Sequence, residues 1–435
     1  MKLIARGTVA LIGALAVSQM NYGQNQQSVG TVTGAEQVNS ITTAVPFMTI
    51  APDSRHGALG DAGAATSADV YSMYWNPAKM VKNEENFGMA VSYTPWLRNL
   101  VSDISLSHLT GFYKIDDMNA IGVSFRYFTL GDIQFTDEFG NDIQQFRPNE
   151  WSIGAGYSRV LSDRLTGGIN LKFIYSNLTG GTDVQSAQTK AGLAAATDIS
   201  AYYENDDLNL NGTDATLAFG AVISNIGNKI SYSNLDEQDF LPTNLRLGSR
   251  ITLHLDDYND VSLNFDVNKL LVPSPPIYDN GEVIAGMSPD RSVANAMFTS
   301  FYDAPGNPFT DSNGEYVTGP DGKAEVEDGS VLREELREIY LGVGAEYWYN
   351  KLFAARLGYF TEHELKGNRK FLTFGLGLKY NAIGIDMSYL VPFYVGEQRT
   401  ITNSPLQNTL RFSLTFNFNN NGGGESSGEP APINQ

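Results

Sequence analysis

At 435 residues, with a formal net charge of −19, four His and no Cys, the chain can build neither a disulfide framework nor a Cys-ligated metal site. The balance of 29 basic to 48 acidic side chains excludes a nucleic-acid surface, which needs Lys and Arg against phosphate. Abundant Tyr (22), Phe (23) and Gly (43) in a sequence poor in helix signals leave two classes, an outer-membrane barrel and a secreted β-sandwich.

The chain opens with export signals. Lys2 and Arg6 flank the start and precede an apolar core, Thr8–Val17, too short to span a bilayer, and the small residues Ala16 and Ser18 suit cleavage near Gln19 or before Gln24. Residues 1–23 read as a signal peptide, with no Cys behind it for lipid anchoring, and residues 24–46 as a polar Gln/Thr-rich leader. No later segment carries roughly 18 apolar residues in a row, so a mature chain resident in a membrane has to be a closed barrel.

Met48–Met80 differs from everything after it and defines a unit over residues 47–84. It is rich in Gly and Ala, has no β-branched run, and closes on Trp75-Asn76-Pro77-Ala78. Small residues let backbone approach backbone, and Pro77 has no N–H to give a central strand. The stretch reads as a compact irregular piece that fits inside something, with Trp75, Asn76, Pro77 and Ala78 as its structural motif; a surface loop is the alternative. Gly57-Ala58-Leu59-Gly60 follows no strand and lacks the spacing of a phosphate-binding turn. Asp53, Ser54, His56 and Asp61 include the residue types of a catalytic triad. Triad members are placed by the fold and seldom lie three residues apart, so no catalytic residue is assigned, and His56 is expected to hydrogen-bond in the interior.

From Phe87 onward the period is two. Phe87, Met89, Val91 and Tyr93 alternate with Gly88, Ala90, Ser92 and Thr94, and the pattern recurs in Ile121–Tyr127, Trp151–Tyr157 and Leu165–Tyr175. Runs of about ten residues ending in aromatics suit strands that cross a bilayer at a tilt between interfacial girdles. Fourteen strands are predicted, at 86–94, 102–114, 119–129, 150–160, 164–176, 195–204, 215–225, 244–254, 261–269, 338–349, 353–362, 370–380, 383–391 and 408–418. Connections after even-numbered strands are mostly brief, as at Asp116-Asp117, Asn350-Lys351 and Asn381-Ala382, with a longer one near Asp206–Thr213. Those after odd-numbered strands are mostly long, which is how outer-membrane barrels are built. The fold class is therefore all-β, a 14-stranded antiparallel transmembrane barrel over residues 85–418, with an N-terminal plug and a tail, residues 419–435, of disordered composition. Asp198 and Asp266, inside strands, should face a polar lumen.

The longest connection, residues 270–337, is Pro-rich and acidic. Asp311–Glu315 and Asp321-Gly322-Lys323 have calcium-loop residue types without the closing Glu of an EF-hand, so no metal is assigned. A short amphipathic helix is expected at Val331–Ile339. Long loops usually serve binding, and Phe298, Phe301, Tyr302 and Phe309 are the candidate partner-binding residues.

Tyr74-Trp75-Asn76-Pro77-Ala78 followed by about fourteen strands resembles the FadL-like outer-membrane barrels, which carry an N-terminal hatch and an Asn-Pro-Ala motif. More closely, residues 51–80 with SYTPWLRNLVSDISLSHL at 92–109 are similar to the PorV-like barrels of the type IX secretion system of Bacteroidota. The resemblance implies a plugged barrel in the outer membrane, among its lipid and lipopolysaccharide (LPS). It also implies that the chain receives cargo through C-terminal signal domains at the large translocon barrel and delivers it to a sortase-like surface attachment complex. It implies no cofactor. FadL-type transport of hydrophobic small molecules is the alternative. A lipid A deacylase would need a Ser/His pair at the membrane face, which the sequence does not show.

Overall fold

The computed structural model describes residues 38–98, 101, 103–136, 142–181, 189–233, 238–393 and 406–419. The signal peptide, most of the leader and all but the first residue of the tail lie outside the described residues. Fourteen strands close a barrel: β1 (Phe87–Pro95), β2 (Ser105–Asp116), β3 (Asn119–Thr129), β4 (Asn149–Ser162), β5 (Leu165–Asn177), β6 (Gly192–Leu210), β7 (Thr213–Gly227), β8 (Asn244–His254), β9 (Asn259–Leu270), β10 (Tyr340–Tyr349), β11 (Phe353–Thr361), β12 (Lys370–Tyr380), β13 (Ile383–Pro392) and β14 (Thr409–Phe418). Each pairs antiparallel with the next, and β1 returns to β14 with Phe87 opposite Phe418 and Tyr93 opposite Phe412. Closure removes the free edges that lipid could not satisfy.

Alternation decides which side chains meet lipid. Met89, Val91, Ile121, Val123, Leu171, Leu357, Leu376 and Ile385 are exposed on the outer wall, while Ala90, Ser92, Ser152, Asn170 and Arg356 between or opposite them are buried in the lumen. Asp266 is lumenal, as its place in a strand predicts. Among the described residues no helix is long and apolar enough to cross a membrane.

Connections divide between two ends. At one, turns are tight and use left-handed Asn or Lys, as at Asn350, Lys351 and Asn381. The connection expected to be longer, Asp206–Thr213, is tight as well. β6 runs to Leu210 past a register shift and turns on Asn211-Gly212, both at positive φ, the residue pair this turn type favours. The other end carries the long loops, which in outer-membrane barrels face outward. They hold more structure than turn residues alone suggested: hairpins Ile133–Thr136/Asp142–Phe146 and Ile277–Asp279/Glu282–Ala285, and two helices at Val293–Thr299 and Ser330–Arg337.

Candidate functional site

Residues 44–83 occupy the lumen. The segment enters at the loop end, where the Ala44 amide donates to the Phe240 carbonyl at 2.9 Å. Val45 and Phe47 pack there among Ile104, Leu106, Phe128, Ile230 and Leu241. Val45 is left-handed (φ 45°), an unusual state for a β-branched residue, held by its complete burial. The chain then forms α1 (Ser54–Gly57), α2 (Ser72–Trp75) and a 3-10 helix at Pro77–Lys82, and reaches the turn end, where Lys114 Nζ donates to the Asn83 carbonyl at 3.0 Å. Lumen-facing glycines make room for it. A Cβ at Gly168 (β5) would run into the Ala78 amide, at Gly220 (β7) into the Ala64 carbonyl, at Gly344 (β10) into Leu59, and at Gly358 (β11) into the Gly60 amide.

Charges inside are paired between plug and wall. The Arg55 guanidinium grips Glu346 of β10 with two bonds, Nε to Oε2 at 3.0 Å and Nη2 to Oε1 at 2.8 Å, and bridges Asp69 at 3.0 Å. Glu346 also accepts from Arg356 of β11 at 2.6 Å, and Arg356 reaches Asp386 of β13 at 2.5 Å. Asp266 of β9 accepts the Gly63 and Ala64 amides at 2.7 and 2.9 Å. Asp198 of β6 takes the Asn225 amide and bridges Lys172 at 2.7 Å.

The predicted motif lies at the centre of this packing, each member fully or almost fully buried. Trp75 Nε1 donates to Asp53 Oδ1 at 2.6 Å, and its ring stacks on His56 with centroids 4.8 Å apart. Asn76 serves three backbones: its amide donates to the Ala64 carbonyl at 2.8 Å and to the Ala201 carbonyl of β6 at 3.1 Å, while Oδ1 accepts the Ala78 amide at 3.1 Å. Pro77 opens the 3-10 helix, where a missing N–H costs nothing. Ala78 is held by Ser200 Oγ and Thr166 Oγ1 from the wall.

His56 does hydrogen-bond inside, but not in the arrangement its sequence neighbours suggest. Its Nδ1 meets Asp53 Oδ2 at 2.8 Å and its Nε2 meets Thr66 Oγ1 at 3.0 Å, whereas Ser54 bonds Ser413 of β14. Lys79 Nζ donates to the same Thr66 hydroxyl and to the Gly63 carbonyl, both at 2.8 Å. The Asp-His-Thr chain has no exposed member, so it acts as an internal clasp. Asp61 lies apart, 3.9 Å from Arg411.

The second surface is the loop between β9 and β10. Within it α3 (Val293–Thr299) carries Phe298, 76% exposed, followed by the exposed Phe301 and Tyr302, with Phe309 exposed further on. The helix expected at Val331–Ile339 is α4 (Ser330–Arg337), and its faces are reversed from the usual sense. Leu332 and Leu336 are 64% and 59% exposed, while Glu334, Glu335 and the following Glu338 are buried. Lys269 holds Glu335 and Glu338 at 2.9 and 2.6 Å, and Lys366 holds Glu334 and Glu338 at 2.6 and 3.0 Å. Burial pushes the Glu335 carboxyl up, against the pull of Lys269 and the Ala304 amide. Asp311 and Asp321 spend their carboxylates on backbone amides of their own turns. Among the described residues no group of His, Asp and Glu is placed to hold a metal ion.

The family profile described as "Type IX secretion system protein PorV" matches residues 33–277. No curated protein matches the chain. Among solved structures, the chain is similar to the Pseudomonas putida toluene transporter TodX (9% identity, covering 88% of this chain and 100% of that one, TM-score 0.44). It is also similar to the Ralstonia pickettii toluene transporter TbuX (14%, 86% and 99%, TM-score 0.43) and a Pseudomonas aeruginosa FadL homologue (12%, 87% and 99%, TM-score 0.40).

Proposed function

This chain belongs to the PorV family of type IX secretion system proteins, and we propose that it receives secreted cargo at its loop end and passes it from the translocon barrel to the surface attachment complex. The family is one of secretion-system barrels of the outer membrane rather than of enzymes. The observation that carries the reading is a filled lumen beneath an aromatic, acidic outer loop. With residues 44–83 in the lumen and Arg55 ion-paired to Glu346 of the wall, a folded protein has no way through, and recognition falls to an outer surface. Phe298, Phe301, Tyr302 and Phe309 stand out on that surface, and aromatics exposed in this way are common binding anchors. The partners on this reading are cargo C-terminal signal domains, the large translocon barrel and the sortase-like attachment complex. FadL-type transport would need a continuous apolar path, and the buried Arg55–Glu346–Arg356–Asp386 series weighs against one.

The test is the triple variant F298A/F301A/Y302A in cells. Secreted substrates should accumulate in the periplasm while the barrel stays at normal abundance in the outer membrane. Normal secretion would remove this loop from the cargo path.

A further inference from the structure

We propose that the lumen holds a small monovalent anion, of the chloride class, between the plug and the loop half of β1–β3, on a site built from Arg126, His108 and Thr94. All three side chains are buried, and each presents polar atoms that no other described residue bonds: Nε of Arg126, both ring nitrogens of His108 and Oγ1 of Thr94. The site is independent of the secretion reading.

Register brings the three together. Thr94 (β1), His108 (β2) and Arg126 (β3) face the lumen on consecutive strands. His108 stands directly opposite Arg126, and Thr94, opposite Leu106, is its diagonal neighbour on the other side. Side chains in these relations are within reach of one another. The plug supplies the facing wall. Tyr71 and Tyr74 lie over His108 with ring centroids 6.1 and 6.5 Å away, and the Arg126 guanidinium sits 4.6 Å from the centre of the Tyr74 ring. Three plug carbonyls fix that guanidinium: Nη1 donates to Met48 at 2.9 Å, and Nη2 to Phe47 and Ile50, both at 2.8 Å. The Nε–H is left as the donor for a ligand.

Charge selects the occupant. Polar groups left unbonded in an interior are costly, and native structures answer them with water or an ion. Here the cation decides between the two. Arg55 and Arg356 each hold two carboxylates, whereas Arg126 is bonded to carbonyls and, among the described residues, no Asp or Glu bridges it. The surrounding wall has none to offer: β1 and β3 contain no Asp or Glu, and β2 only the exposed Asp116 at its turn end. Carboxylates farther off are spent elsewhere. Asp53 of the plug takes His56 and Trp75, and Glu150 of β4, one step nearer the loops than Arg126, takes Ser176. An anion compensates the buried charge and accepts the Arg126 Nε–H, the Thr94 hydroxyl and, whichever nitrogen carries the proton, one N–H of His108. Full burial favours a monovalent ion, because a second negative charge would be desolvated with nothing to balance it.

The full chain is purified in detergent without halide, and its unfolding temperature is followed as gluconate is replaced by chloride or bromide at constant ionic strength. Wild type should rise saturably with either halide. Crystals grown in bromide should show an anomalous peak beside Arg126 Nε, facing His108 and Thr94. Thr94→Val keeps the shape and removes the hydroxyl; it should raise the half-saturating halide concentration roughly tenfold, the scale for one lost bond to a charge. His108→Leu should abolish both the halide response and the peak. Equal unfolding temperatures in chloride and gluconate, or bromide crystals without a peak at the site, overturn the proposal and assign these atoms to water. A folded His108→Leu barrel that responds to halide as wild type does overturns it too. If that variant does not fold, Thr94→Val decides, and half-saturation at the wild-type concentration counts against the site.

Discussion

The plug and the long loop each hold a charged segment against the barrel, and they do so in opposite senses. In the plug, ionic and apolar groups are buried together: Arg55, Asp53 and Lys79 find partners, and Leu59, Met73 and Trp75 fill the space between. No large face is left over. In the loop the ionic contacts are turned inward, Glu334, Glu335 and Glu338 against Lys269 and Lys366, and apolar groups such as Phe298, Leu332 and Leu336 are left outside. The first arrangement is complete in itself. The second is anchored by its charges and leaves an apolar face for something else to cover.

Glu346→Leu should break the plug most severely. It removes the carboxylate shared by Arg55 and Arg356 and leaves each buried guanidinium with one carboxylate, Asp69 for Arg55 and Asp386 for Arg356. Breaking a buried pair costs on the order of 3–5 kcal/mol. The temperature at which the purified barrel converts from its fast- to its slow-migrating form on gels should fall sharply. An unchanged temperature would mean that the plug is not an integral part of the barrel. Asn76→Leu should come next: it removes the bonds to the Ala64 and Ala201 carbonyls and leaves the Ala78 amide with Ser200 Oγ alone, at about 1–3 kcal/mol for buried groups that lose a partner. Small-solute leakage through reconstituted barrels should rise. Free labelling of a Cys at position 76 by a bulky reagent in wild-type-like membranes would contradict the buried site.

The strands were legible because period-two alternation and turn residues are local signals. Even so, β6 and β7 extend farther than expected, and Asn211-Gly212 was the available clue. The plug was legible as a Gly/Ala-rich stretch around Trp75-Asn76-Pro77-Ala78. What it touches was not, since Arg55 and Glu346 lie 291 residues apart in sequence. Thr66, ten residues from His56, gave no signal as its partner, while nearer Ser54 gave a misleading one. The small residues of the lumen face, Gly168 and Gly220 among them, were visible, but only the closed barrel sets them against the plug backbone. For α4 the sequence pattern separates two faces without saying which is buried. That depended on Lys269 and Lys366, which lie outside the helix.

Glu335→Gln sharpens the contrast at the loop. It weakens the bridge to Lys269 and the bond from the Ala304 amide, contacts that hold α4 rather than the barrel. Limited proteolysis should cut residues 286–329 faster, while the gel-shift temperature stays that of the wild type. A fall like that of Glu346→Leu would show loop and plug to be one cooperative unit.

The smallest effect on stability, and the clearest on topology, is expected from single thiols. The described chain begins at the loop end: the Asn39 amide donates to the Leu365 carbonyl at 3.0 Å, and its side chain reaches Pro275 and Glu334 of the long loop. It passes once down the lumen and leaves at the turn end, where Glu84 is exposed beside Lys351, before β1 begins. Val38 is 65% exposed at the start of that path. If the long loops face outward, positions 38 and 84 lie on opposite sides of the membrane. The chain has no Cys, so V38C and E84C each carry a single reporter thiol, and an exposed ion pair such as Glu84–Lys351 contributes little to stability. A membrane-impermeant maleimide added to whole cells should label V38C at once and E84C only after the outer membrane is permeabilised. The reverse pattern would invert the barrel, place Phe298 and its neighbours in the periplasm, and take the proposed cargo surface away from the outside of the cell.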